Sequence, residues 1–220
     1  MKLPQPSFYS PIWIENFKRK PSREMILPIV AYGDPVLRKE AEDITKDYPQ
    51  LEEVIANMWE TMYNAAGVGL AAPQVGLPIR MFMVDTEPFS DDPDFSEAEQ
   101  KELADFKKTF INAEIIEETG DEWAFNEGCL SIPNVREDVF RPEKVTIEYL
   151  DENFKSHTET YDGLIARVIQ HEYDHIEGIL FTDKISSLKK RLIKNKLSNI
   201  SKGKTNVDYR MRFPDVKGRR

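Results

Sequence analysis

The stretch GLIARVIQHEYDHIEG, residues 163–178, restricts the fold of this chain more than any other. A glycine stands at each end, and between them Leu164, Val168, His171 and His175 recur at three- and four-residue intervals. That spacing predicts a helix, opened at Gly163 and closed at Gly178, with these four side chains on one face. Four residues of helix turn through about 400°, so His171 and His175 lie roughly 40° apart around the axis and about 6 Å apart along it. Two imidazoles so placed reach one metal ion. Glu172 points about 100° away from His171, beside the ion's open position, where a general base for a bound water belongs. Leu164, Val168 and Ile169 mark the stretch as buried, which argues against two ordinary surface histidines.

Two imidazoles leave a third protein ligand to find. His157, the remaining histidine, lies in the alternating run KSHTETY and reads as a surface or cross-strand residue. Glu177 and Asp183 lie downstream without a suggestive spacing. Cys129, the single cysteine, lies 42 residues upstream of His171 in EGCLS. As a thiolate it is a strong, soft ligand, and as a thiol it is a small buried hydrophobe. Spacing alone leaves the choice open.

The rest of the chain alternates strands and helices. PIVAYGDPVL (28–37) reads as a short strand entering a turn, and 48–66 as an amphipathic helix with Gly67 as its cap. IRMFMVDT (79–86) reads as a strand buried on both faces. Residues 87–108 form an acidic surface excursion in which SEAE suggests a helix with a capping box. Strands are expected at 110–118, 144–151 and 154–162, the last two joined as a hairpin, and a final helix at 186–199. Strand runs flanking a central helix indicate an α+β fold, with small antiparallel or mixed sheets around the HEYDH helix and a C-terminal helix. Residues 1–24 read as an N-terminal extension, 25–188 as the catalytic domain with 87–108 inserted, and 189–220 as a basic helix and tail.

Charge is distributed unevenly. The chain carries −9 overall, yet residues 189–220 hold twelve Lys or Arg against Asp208 and Asp215. Such a tail is a candidate contact for a polyanion, set against the plainer reading of a solvated helix and loose end. No apolar run is long enough to span a membrane and no secretory signal is evident. A lone cysteine fits a reducing cytoplasm.

Three stretches, GVGLAAPQVG (67–76), EGCLS (127–131) and QHEYDH (170–175), resemble in content and order the signature motifs of the peptide deformylase family. The resemblance covers roughly residues 26–188. It implies one divalent metal, Fe(II) first, with nickel, cobalt or zinc also accommodated, held by Cys129, His171 and His175. It implies hydrolysis of the N-formyl group from the initiator methionine of new polypeptides, with release of formate. In that scheme metal-bound water attacks the formyl carbon and Glu172 serves as base, then acid. The Gln74 amide and the Leu130 backbone N–H become oxyanion donors. Gly69 pairs with the peptide backbone, Val68, Phe125, Leu164 and Val168 receive the methionine side chain, and Arg136 lies near the bound peptide. Family members can dock at the ribosome through a basic C-terminal helix, which extends the expected partners to ribosomal RNA. Pro73, the 87–108 insertion and the N-terminal extension depart from the family pattern without removing a ligand or the base.

Two other readings compete. A metallopeptidase of the HExxH kind would leave EGCLS unexplained. A non-catalytic ribosome- or RNA-binding protein would be expected to have lost a ligand or the base, and all are intact.

Overall fold

The computed structural model describes residues 25–214; the N-terminal extension, 1–24, and the last six residues of the basic tail lie outside them. In chain order the elements are β1 (Ile29–Val30), α1 (Leu51–Asn64), β2 (Gly69–Ala71), β3 (Met81–Asp85), α2 (Glu97–Asp105), β4 (Lys107–Cys129), β5 (Ile132–Leu150), β6 (Ser156–Asp162), α3 (Gly163–Ile176), α4 (Ser187–Ser201) and β7 (Met211–Arg212). Strands β2 to β6 form one antiparallel sheet in sequence order, and β1 pairs with β7 in parallel. The fold is α+β, with α3 carrying the HEYDH motif and α4 near the C-terminus.

Alternation in β3 explains how the layers assemble. Phe82 and Val84 face α3, where they pack with Phe110, Val145, Ile147, Ile165 and Ile169. Met81 and Met83 face the other way, onto Ile55, Met58 and Met62 of α1. The strand is buried at all five residues, because each face is covered by a helix. A third cluster joins Val30, Leu37 and Ile132 to Ile193, Leu197 and Ile200 of α4.

The two long strands exceed the sequence expectation. β4 runs past 118 to Cys129, and β5 starts at Ile132, well before 144. They pair as one hairpin whose turn is Leu130–Ser131, with register breaks at several points along it. Residues 116–122 are exposed on both faces, so no period-2 apolar signal marks them. By contrast, 28–37 is strand only at Ile29–Val30, because Asp34 caps a short 3-10 turn over Pro35–Arg38. Ser96 and Glu99 form the capping box of α2.

Glycine and its substitutes close the helices. At the end of α1 the left-handed position is taken by Ala66 (φ 51°), while Gly67 N–H donates to the Met62 carbonyl. Gly67 is needed for a different reason: a Cβ there would lie 2.9 Å from Leu130 Cδ1. At the end of α3, Gly178 holds φ +71° and the Ile179 N–H reaches the Asp174 carbonyl at 2.8 Å. A Cβ at Gly178 would meet the Arg38 backbone at 2.9 Å. Gly178→Ala is therefore expected to lower the unfolding free energy by about 1–3 kcal/mol, measured by urea denaturation.

Candidate active site and metal centre

α3 enters the interior with eleven of its residues buried, Glu172 and His175 among them. The His171 and His175 rings lie 5.2 Å apart at 79°. The turn of the β4–β5 hairpin brings Cys129 to them, with Sγ 3.2 Å from His175 Nε2. One ligand atom from each of Cys129, His171 and His175 lies within 4.8 Å of the other two. A tetrahedral ion with bonds of 2.0–2.3 Å sets its ligands roughly 3.5 Å apart, so a small inward adjustment brings these three to one centre. Four buried side-chain atoms have no hydrogen-bond partner among the described residues, and two of them, Glu172 Oε2 and His175 Nδ1, belong to this centre. A thiolate, two imidazoles and an unsatisfied carboxylate oxygen fit a divalent metal. His157 is elsewhere, bonded to Asp151 at 2.9 Å.

Glu127 organises the centre. Its carboxylate accepts from Arg141 Nε and Nη2 (2.7 and 3.0 Å), from Arg167 Nη1 (3.1 Å), and pairs with His171 Nδ1 (2.8 Å). Arg141 continues to Asp174 at 2.6 Å, and Arg167 lies 4.4 Å over the Trp123 ring. Burial raises the Glu127 carboxyl pKa, but hydrogen bonds from Arg141 and His171 outweigh it and hold the group well below the usual carboxylate range. The bond to Nδ1 fixes the ring of His171 and leaves Nε2 for the centre.

Burial works against charge on His171, yet Cys129, Glu127 and Glu172 outweigh it and raise its pKa to about 10. His175 is pushed well below its ordinary value by burial and by His171. A divalent cation binding here competes with the proton on His171. Burial pushes Glu172 up to about 7. Its side chain lies against β2: a Cβ at Gly69 would sit 2.7 Å from Glu172 Cγ and Cδ. Glycine at 69 is what makes room for the carboxylate.

A cavity of about 600 Å³ opens onto the centre. Its wall includes Val68, Gly69, Gln74, Phe125, Cys129, Leu130, Arg136, Val168, His171 and Glu172, all expected from the sequence. Gln74 is buried, with Oε1 accepting from the Ala71 N–H at 2.8 Å and Nε2 3.4 Å from Cys129 Sγ. Arg136 lies over Gly128 and bonds Asn126 Oδ1 at 2.9 Å. Leu164 is off the wall. It belongs to the core between α3 and the sheet, because seven residues of helix carry it about 10 Å from His171 along the axis.

Sequence reasoning missed Glu127, Arg141 and Arg167 as supports. Arg167 left a readable trace, a charge on the turn preceding His171 in an otherwise apolar helical stretch. Phe89 from the acidic insertion and Val207 and Tyr209 from the C-terminal segment also line the cavity, with no sequence signal to place them there.

An antiparallel sheet wrapped on a buried helix, with a Cys–His–His set and a carboxylate beside it, has the architecture of a metal-dependent hydrolase. The family model of polypeptide deformylase matches residues 26–191. Peptide deformylase of Christiangramia forsetii is 75% identical over 193 residues, 88% of this chain and 98% of that protein. The Flavobacterium johnsoniae enzyme is 71% identical, with the same coverage. Among solved structures, peptide deformylase from Legionella pneumophila superimposes with a TM-score of 0.68 at 37% identity, covering 80% of this chain and 96% of that one. The Plasmodium falciparum enzyme, in complex with an inhibitor, gives 0.66 at 33% identity, covering 79% and 99%. The chain belongs to the peptide deformylase family, hydrolases that remove the formyl group from nascent polypeptides.

Glu127→Gln leaves Arg141 and Arg167 short of their buried anion and loosens His171. The expected outcome is a stability loss of about 3–5 kcal/mol and metal affinity about 10- to 100-fold weaker, read by urea denaturation and chelator competition.

Proposed function

We propose that this chain hydrolyses the N-formyl group of the initiator formyl-methionine on new polypeptides in the cytoplasm, using Fe(II) held by Cys129, His171 and His175. The observation that carries the reading is the convergence of those three side chains within 4.8 Å, with buried Glu172 sharing the cavity wall with Cys129 and His171. A divalent ion there supplies Lewis-acid activation of water and of the formyl oxygen. Everything else falls to the protein.

Glu172, buried beside the centre, takes the proton of the attacking water and returns it to the leaving amine. Gln74, its oxygen tied to the Ala71 N–H, turns its amide nitrogen toward the centre as a donor to the developing oxyanion. The Leu130 N–H, next to Cys129, is the second donor. Gly69 exposes backbone on β2 for an extended peptide to pair with, and Val68, Phe125 and Val168 give the methionine side chain an apolar wall. Arg136 stands at the rim, where it can meet the peptide beyond the methionine.

Anaerobic, Fe(II)-loaded protein is expected to release formate from a formyl-Met peptide. Glu172→Gln should abolish release with metal content unchanged, and Gln74→Ala should lower kcat about a hundred- to a thousandfold. Wild type that binds iron but frees no formate would sink the reading.

A secondary contact with ribosomal RNA through α4 is supported by exposed Arg191, Lys194 and Lys196, which lie outside the buried stripe of Ile193, Leu197 and Ile200. Because those three apolar residues belong to the core, charge reversal is the clean probe and deletion is not. Arg191→Glu and Lys194→Glu together, on the side of α4 turned away from that stripe, should weaken ribosome co-sedimentation at low salt; unchanged binding would remove the contact.

A further inference from the structure

Residues 202–214 do not form a loose basic tail. After α4 the chain turns at Gly203 (φ +71°) and runs back across the molecule to the active site. Asn134 Nδ2 donates to the Asn206 carbonyl at 3.2 Å. The Ile29 and Ala31 N–H groups donate to Arg210 and Arg212 at 2.9 and 2.8 Å, which builds the β1–β7 pair. Between these anchors, Val207 and Tyr209 reach the cavity wall.

Tyr209 is placed at a sensitive spot. Its hydroxyl donates to the Leu130 carbonyl at 2.8 Å. The other carbonyl of the two-residue turn, that of Ser131, accepts from the Tyr32 N–H at 2.8 Å. Cys129 and Ile132 pair directly on either side, so both carbonyls of the turn residues are held from outside the sheet. A turn of this length at the end of a long ribbon has few bonds of its own, and its orientation is set by what holds it. The residue before the turn is the proposed thiolate ligand, and the first residue in it carries the proposed oxyanion donor.

We propose that Tyr209 is a positioning residue of the deformylation reaction: by holding the Leu130 carbonyl it fixes the turn and aims the Leu130 N–H at the transition-state oxyanion. This rests on the functional reading above. Tyr209 acts through the turn, by the bond from its hydroxyl to the Leu130 carbonyl. The benefit appears in the transition state, where the donor angle matters, and little in substrate binding, which uses β2 and the apolar wall.

Tyr209→Phe removes the bond and keeps the ring in the wall. In full-length, Ni(II)-loaded protein assayed with formyl-Met-Ala, kcat is expected to fall roughly three- to tenfold, with KM, metal content and thermal midpoint nearly unchanged. Amide exchange at Cys129 and Ile132, which pair across the turn, should quicken in the same variant, while exchange in α3 stays as in wild type. Wild-type kcat in Tyr209→Phe, or a fall matched by loss of metal or of thermal stability, overturns the proposal. If wild type itself releases no formate, the functional reading fails, and the exchange measurement still decides whether Tyr209 holds the turn: equal exchange in both proteins overturns that as well.

Discussion

The carboxylate of Glu127 is the point on which the site depends. It sits near the end of β4 and receives one guanidinium from β5, a second from α3 and an imidazole from α3. A buried anion surrounded in this way is costly to separate from its partners, so the hairpin cannot shift along the helix without breaking charged bonds in a low-dielectric interior. The same network that locks β4 and β5 to α3 also orients His171. Fold and metal site therefore share one set of bonds, and Arg141 extends it to Asp174, on the helix turn that holds His175.

Close approach is the second constraint. Glu172 can stand unpaired in the interior only because β2 offers a glycine, at Gly69, where any Cβ would occupy the space of the carboxylate. Gly67 gives Leu130 the same room. The Gly-rich loop thus packs against both Glu172 and the hairpin turn. Its glycines are dictated by neighbours far away in sequence, while the one left-handed residue at the end of α1 is an alanine.

The helices and the ligand face were legible because they obey local rules. His171 and His175 share a face at any helical spacing of four, Gly178 stops the helix, and Ser96 with Glu99 caps α2. The long hairpin was not legible, since residues 116–122 are solvated on both sides and present no apolar face to alternate. Leu164 obeyed the helical period but sits too far along the axis to reach the cavity. The pairing of β7 with β1 was hidden for a different reason. Two-residue strands joined across most of the chain have no local signature, and the basic composition of the region suggested a solvated end.

That return of the C-terminal segment gives the enzyme an order of assembly. Cys129, His171, His175 and Glu172 lie within residues 129–175, and the sheet they rest on is complete by Asp162. The rim formed by Val207 and Tyr209, and the strand that anchors it to β1, come from residues made later. A growing copy of this chain thus contains the residues of its candidate metal centre before the segment that completes one wall of its cavity. An enzyme that works on unfinished proteins has, while unfinished itself, the candidate ligand set without the tyrosine that holds its turn.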